Sequence, residues 1–309
     1  MATPRADFDS PWKDALEEYL EECFLLLFPE AHAAIDWSRS YTFLDTELQQ
    51  ADPDGELGPR RVDKLVRVWL LNGRDAWILV HVEVQSQEED AFTRRMFIYF
   101  ARIFDHFNRE VVSMAVLADE RLGWRPETFS MGRWGFSLQV RFPIVKLADW
   151  RPRIMELEES DNPFAMVVLA HLTAQDTRGD VGSRQQAKLG LVRRLYQRGY
   201  TRERIISLFR FIDWLLALPH EAELAFRRQV RELEEEGRMP YITSIERIGR
   251  AEGRAEGRAE GKRGAVRAVI EARFGTVSTA LSARIDVASE SELDALLVRA
   301  AVVPTLEDL

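Results

Sequence analysis

The runs Arg61–Leu71 (R-V-D-K-L-V-R-V-W-L-L) and Ala76–Gln85 (A-W-I-L-V-H-V-E-V-Q), joined through Asn72-Gly73, decide the fold. Both are rich in β-branched and aromatic residues and flank a strong turn dipeptide, which predicts a β-hairpin. Loops of two, three or four residues around Asn72-Gly73 place Asp63 opposite Val82, Glu83 or Val84. Asp63 and Glu83 are then facing or diagonal neighbours, with Cα atoms about 5–8 Å apart. By the two-residue period Glu83 and Gln85 share one face, and Val80, Val82 and Val84 share the other. The expectation is one acidic face and one core face.

Downstream, the charged turn S-Q-E-E-D leads into Ala91–Phe107, where Met96, Phe100, Ile103, Phe104 and Phe107 recur at helical spacing. Arg95, Tyr99 and Arg102 fall on an adjacent stripe. Val111–Ala118 reads as a buried strand, and strand, helix, strand in so short a span predicts a parallel crossover. Gly123 to Gly135 reads as a loop, and Phe136–Leu147 as a strand that Pro143 confines to an edge or a bulge. Upstream, Ser10–Phe28 is an amphipathic helix with a serine cap and an early proline, ended by Pro29. Its acids Glu17, Glu18, Glu21 and Glu22 form a solvated face, from which one could reach the Asp63/Glu83 site. Ile35–Leu48 is mixed in period and suggests a short strand or turn. Residues 1–155 are thus read as an α/β core around a mixed sheet flanked by helices.

Strand signals vanish from about Asp161. Helices are expected at Pro163–Leu172, Arg184–Arg198, Arg202–Leu218 after a Thr201 cap, and Pro219–Glu235, which makes 156–245 an all-helical region. The third of these looks apolar nearly all round and therefore buried. Residues 246–264 contain the tetrad tract G-R-A-E-G-R-A-E-G-R-A-E-G (Gly249–Gly261). Its Arg and Glu stripes lie roughly 200° apart on a helix, so they cannot pair at i,i+4, and each glycine costs roughly 1 kcal/mol relative to alanine. The tract is either a linker or marginal helix, or a helix ordered against a partner that presents Glu to its Arg. Residues 265–309 close the chain as a small helical module, with a capping box at Ser289–Glu292.

At 309 residues and 46% hydrophobic, the chain can bury a substantial core. One cysteine, Cys23, excludes an internal disulfide and any cysteine-cluster zinc site, and it suits a reducing cytoplasm. The first ten residues lack a signal-peptide core, and no apolar run approaches the roughly 20 residues of a membrane span, so a cytoplasmic protein with no membrane partner is expected. The net charge of −9 argues against coating nucleic acid with the whole surface but permits a local basic groove. His32, His81, His106, His171 and His220 are isolated, without the spacing of a metal-binding pair.

Two carboxylates converging on a sheet face suit a hard divalent cation such as Mg²⁺ or Mn²⁺, whose remaining positions are filled by water and substrate phosphate. Such an ion polarises a phosphodiester and lowers the pKa of an attacking water. Arg95 and Lys13 are the candidate phosphate contacts. Taken alone, Asp followed at a distance by Glu-x-Gln has little specificity, and surface acids on a hairpin would look the same.

Asp63, then Glu83-Val84-Gln85-Ser86, then Arg95 and Tyr99 resemble the Rpn family of recombination-promoting nucleases, also labelled transposases, of the PD-(D/E)XK superfamily. Phe8–Pro29, Ile35-Asp36-Trp37, Leu208–Leu218, Met239–Arg247 and the A-E-G-R tract resemble the same bacterial subgroup, so the likeness spans essentially the whole chain. It implies a restriction-endonuclease-like core and metal-dependent cleavage of DNA in recombination or mobile-element biology. It assigns Asp63 and Glu83 as metal ligands and Gln85 to the position where a lysine is usual. Glutamine offers hydrogen bonds but no charge, which leaves the chemistry to metal-activated water, with Arg95 a source of positive charge. Ser86 and Tyr99 either position that water or cap and pack. The competing expectation is a catalytically silent core that binds DNA or protein, with self-association through the C-terminal helical region.

Overall fold

The computed structural model describes residues 9–44, 62–83, 91–237 and 263–275, with isolated positions between 281 and 303. The chain divides into two compact units, Met1–Met239 and Pro240–Leu309. Among the described residues, seven strands belong to the first: β1 (Thr42–Phe43), β2 (Val62–Trp69), β3 (Asp75–Glu83), β4 (Val111–Leu117), β5 (Thr128–Arg133), β6 (Phe136–Arg141) and β7 (Ile144–Lys146). Five form one sheet in the order β1-β2-β3-β4-β7, and β5 and β6 form a separate hairpin. β1, β2 and β3 are antiparallel, whereas β3, β4 and β7 run parallel. The sheet is mixed because β3 returns through helix α4 (Ala91–Phe107) to a parallel neighbour, as the spacing of the two runs predicts.

The hairpin register differs from all three expected alignments. Asp63 pairs with His81, and Trp69 with Asp75. The Gly73 amide donates to the Leu70 carbonyl at 2.8 Å, and the Leu70 amide donates to the Arg74 carbonyl at 2.7 Å. Leu71-Asn72-Gly73 is therefore a three-residue loop, shifted one residue toward the N-terminus. Its cause is conformational: a two-residue type I′ turn needs positive φ at both central residues, and here only Gly73 (φ +84°) supplies it, in the manner of a type I turn closed by a bulge. Asn72 instead uses its side chain to accept the Arg74 amide at 3.0 Å.

The expected helix Ser10–Phe28 is bent. Helix α1 (Asp9–Glu18) gives way to α2 (Leu20–Leu27) at Tyr19, whose φ of −125° and ψ of 38° leave the helical region. The Tyr19 amide still reaches the Ala15 carbonyl, and the Cys23 amide the Tyr19 carbonyl, so this is a bend and not a stop. Pro29 does not end the run but opens α3 (Pro29–Ala34), in the first-turn position where its missing N–H leaves nothing unpaired. Trp12, Leu16, Tyr19, Leu20 and Cys23 are all buried, as their spacing predicts, and burial pushes the Cys23 thiol far above its ordinary pKa.

The segment read as a loop between Gly123 and Gly135 contains β5. Its only aromatic is Phe129, and Ser130 and Gly132 break the strand pattern. Pro143 does separate two strands: β6 belongs to the side hairpin, and β7 beyond it forms the sheet edge beside β4.

After a 3₁₀ segment (Leu147–Arg153) the chain is helical, through α5 (Ile154–Glu159), α6 (Pro163–Asp176), α7 (Val181–Gln197), α8 (Arg202–Leu215) and α9 (His220–Gly237). The caps are Asn162, Asp180 and Thr201, each accepting a backbone amide of the first turn. Gly199 (φ +64°) stops the turn after α7. The helix buried on all sides is α6, in which every residue from Pro163 to Leu172 is buried; α8 is amphipathic and exposes Arg202, Glu203 and Arg210. An ion network joins α7, α8 and α9: Lys188 of α7, wholly buried, donates to Asp213 at 2.6 Å and Glu223 at 3.2 Å. None of the described helices is long and apolar enough to cross a membrane.

In the second unit, a helix over 263–274 ends at Gly275 (φ +85°). Val266, Ile270, Ile285, Leu293, Leu296 and Ala300 form its core. The tetrad tract Gly249–Gly261, Met239–Arg247 and the capping box at Ser289–Glu292 lie outside the described residues.

Candidate functional site

The acidic face of the hairpin is also a core face, contrary to the simple division expected. Leu65, Trp77 and Leu79 alternate in step with Asp63 and Glu83, and they are buried beneath α4 in a cluster with Tyr99 and Ile103. By register the Asp63 and Glu83 positions fall on the face that α4 covers, at the end of the two strands. Asp63 and Glu83 sit on adjacent antiparallel strands in a diagonal relation, Glu83 lying two positions beyond the Asp63 partner His81. Diagonal Cα atoms in such a ladder are about 7–8 Å apart.

Helix α4 sets the other two candidates against this row. Leu117 is the register partner of Glu83 on β4, and it packs with Phe92 and Met96 from the first turns of α4. Arg95 lies between those two residues, is 5% exposed, and holds its guanidinium 5.3 Å from the Phe92 ring centre. Tyr99 follows one turn later and is equally buried. The helical spacing thus brings Arg95 and Tyr99 to the layer that carries the Asp63 and Glu83 positions. Gln85 and Ser86 lie outside the described residues.

Lys13 is not brought to this layer. It is carried by α1, which meets β2 through a salt bridge from Glu17 to Lys64, and Lys64 alternates away from Asp63. The other three acids named from the sequence face other groups. Glu18 accepts from Ser207, Glu22 pairs with Arg204 at 3.1 Å, and Glu21 lies 3.7 Å from His32.

One pair at this end of the sheet escaped the sequence reading. Lys146 of β7 is the register partner of Leu117, so Glu83, Leu117 and Lys146 form a row across three strands. Its ammonium is fully buried and donates to Asp119 at 2.5 Å and to the Trp124 carbonyl at 3.3 Å; the Asp119 side chain is only 2% exposed. A lysine inside the apolar run I-V-K-L is the signal that could have revealed it, since lysine is almost never fully buried without a partner. Nearby, His171 of α6 donates from Nε2 to the Ala118 carbonyl at 2.7 Å, while its Nδ1 has no partner among the described residues. Burial pushes its pKa down to about 4, with further lowering by Arg151 and Arg178.

Two carboxylates suffice for a Mg²⁺ that keeps several waters, and Asp63 and Glu83 are the residues that could hold one. The described residues contain no cluster of three or more His, Cys, Asp or Glu able to hold a metal. Compared with known proteins, the chain matches no family model, no curated protein and no solved structure.

Proposed function

We propose that the protein is a divalent-metal-dependent DNA endonuclease that hydrolyses phosphodiester bonds. The observation that carries this reading is the diagonal placement of Asp63 and Glu83 on β2 and β3, in the same sheet layer that α4 covers with Arg95 and Tyr99. Asp63 and Glu83 would hold Mg²⁺ or Mn²⁺. The ion would neutralise phosphate charge and make water nucleophilic at neutral pH. Arg95 contributes fixed positive charge at the same end of the sheet, in a low-dielectric setting where charge acts strongly. Gln85 takes the role of a hydrogen-bonding group where a lysine is usual. A cytoplasmic location, which the single cysteine and the hydropathy of the sequence favour, belongs to the same reading, as does a recombination or mobile-element role, which rests on the sequence resemblance.

The test is plasmid cleavage over a Mg²⁺ and Mn²⁺ titration, beside Asp63→Ala and Glu83→Ala proteins that retain their thermal unfolding. Nicking that needs metal and is lost in both variants is the expected result. No cleavage by the wild type, with no metal binding by calorimetry, would replace this reading with a silent core and move attention to self-association of the C-terminal region.

A further inference from the structure

The hairpin of β5 and β6 stands apart from the five-stranded sheet. Its strands pair from Thr128↔Arg141 to Arg133↔Phe136, leaving Trp134-Gly135 as a two-residue loop. Both loop residues have positive φ, +52° at Trp134 and +89° at Gly135, which is the type I′ pattern. That position favours Asn, Asp or Gly, and a bulky aromatic there is an outlier that costs on the order of 1 kcal/mol or more. The Trp134 side chain gains nothing from packing in return, because it is 95% exposed. Folding stability therefore does not explain the residue.

The rest of the hairpin is divided by alternation. Phe129, Met131, Leu138, Val140 and Phe136 share one face with Arg133, and Thr128, Ser130, Gln139, Ser137 and Arg141 share the other. The base of the apolar face is docked: Phe129 stacks on Phe97 of α4 with ring centres 4.8 Å apart and planes 10° from parallel. Toward the tip the same face is open, with Met131 48% and Phe136 61% exposed. The Arg133 guanidinium carbon lies 5.5 Å from the Trp134 ring centre, and none of the described carboxylates pairs with it. Thr128–Arg141 holds two arginines and no acid, on a chain of net charge −9. Arg141 is held by Glu127 at 3.2 Å, so Arg133 is the cation offered at the tip.

We infer that this hairpin is a stacking finger for single-stranded nucleic acid, in which Trp134 takes the face of an unpaired base and Arg133 the adjoining phosphate. An indole without a neighbour offers a flat π surface that any base can cover, and an arginine beside it supplies the matching charge. A duplex hides its base faces, so unpaired segments are the better ligand. The inference rests on the DNA-cleaving reading and names the form of its substrate. Phe97, on which the hairpin is seated, is two residues beyond Arg95 on the same helix, which ties the finger to the element that covers the candidate site.

The experiment is fluorescence anisotropy with the full-length protein in EDTA, using a labelled oligodeoxythymidine strand and a duplex of mixed sequence. Trp134→Ala should weaken single-strand binding about ten-fold, within the range of one base stacked on one aromatic, while Trp134→Phe should retain most of it. Arg133→Ala should lower the slope of log K against log salt by about 0.7, the value for one phosphate contact on a single strand. The duplex should be bound more weakly than the strand and respond less to Trp134→Ala. No binding of the strand by the wild type, or equal binding by wild type and Trp134→Ala, overturns the inference. So does loss of cosedimentation with phosphatidylglycerol vesicles in Trp134→Ala while oligonucleotide binding is unchanged, which would make the tip a membrane anchor. Binding that depends on Trp134 in a protein that cleaves nothing with Mg²⁺ would retain the finger and remove the nuclease, and the reverse pattern would do the opposite.

Discussion

The two faces of the five-stranded sheet are both buried, yet one is made of aliphatic side chains and the other carries nearly all of the sheet's ionisable groups. On the face that carries Lys64, the buried apolar residues include Val66, Val68, Ile78, Val80, Met114 and Val116. On the face beneath α4, Leu65, Trp77 and Leu79 share the layer with the positions of Asp63, His81, Glu83, Ser113 and Lys146. The valine face shows what this sheet needs in order to fold. Ser113 and Lys146, buried in the other layer, lose water there, and a buried polar group left unpaired costs roughly 1–3 kcal/mol. On the reading proposed above, the acids at one end of this face serve chemistry, and substitutions on the two faces test that reading.

The strongest challenge to this contrast is at the acids. Asp63→Asn and Glu83→Gln keep the size of each side chain, so thermal unfolding should hardly move, while metal-dependent cleavage should fall at least about 100-fold. Val80→Ala on the opposite face should do the reverse. It removes two buried methyl groups, which lowers stability by roughly 1–3 kcal/mol, and it should leave cleavage per folded molecule unchanged. If both kinds of substitution acted mainly on stability, the polar layer would be a structural feature with no separate purpose.

The next largest effect belongs to Lys146. Its partner Asp119 is almost fully enclosed, so Lys146→Met leaves a buried carboxylate without its cation. Breaking a pair of this kind costs about 3–5 kcal/mol. The double variant Lys146→Met with Asp119→Leu should recover most of that loss, because the desolvation penalty disappears with the charges. Urea denaturation of the wild type and the two variants measures both steps. A full-sized loss in the double variant would mean that the pair contributes net stability.

His171 should report on acid. Its folded pKa of about 4 is depressed by burial below the ordinary value of 6.5. The unfolded chain therefore takes up a proton that the folded chain refuses between those two values. The contribution to stability is complete above about pH 6.5 and is lost as the pH falls toward 4, to a total of a few kcal/mol. His171→Gln should flatten unfolding free energy against pH across that window. An unchanged slope in the variant would show that carboxylates, and not this imidazole, govern the acid limb.

Legibility in the sequence followed how local the controlling physics is. The strands on either side of Asn72-Gly73 and the parallel return through α4 depend on residues adjacent in the chain, and they read correctly. The register did not, because it turns on whether Asn72 or only Gly73 takes a positive φ, and both choices suit the same dipeptide. The bend at Tyr19 leaves no mark, since E-E-Y-L-E-E keeps helical spacing through it. The turn at Trp134-Gly135 is concealed by a tryptophan where Asn would announce it. Of the candidate site, the acids and the Arg95 and Tyr99 stripe were visible as periodicities. The pairing of Lys146 with Asp119 was not, because it joins segments 27 residues apart.

The smallest expected effect gives the finest discrimination between the faces. Lys64 is itself buried, only 5% exposed, on the aliphatic face, and so it is the exception that could undo the comparison. Its partner Glu17, however, leaves 44% of its side chain in solvent, against 2% for Asp119. When Lys64 is replaced by methionine, Glu17 can turn to water, and the methionine stem fills the space that the lysine methylenes occupied beside Phe43. The loss should then be within about 1 kcal/mol, the range of half-exposed ion pairs. Lys64→Met and Lys146→Met measured side by side make the comparison direct, because the same chemical change is made on the two faces of one sheet. Equal losses would show an obligatory ion pair in each layer and dissolve the distinction. A several-fold smaller loss at Lys64 would confine the buried charge that folding cannot dispense with to the layer beneath α4, at the end where Glu83 lies.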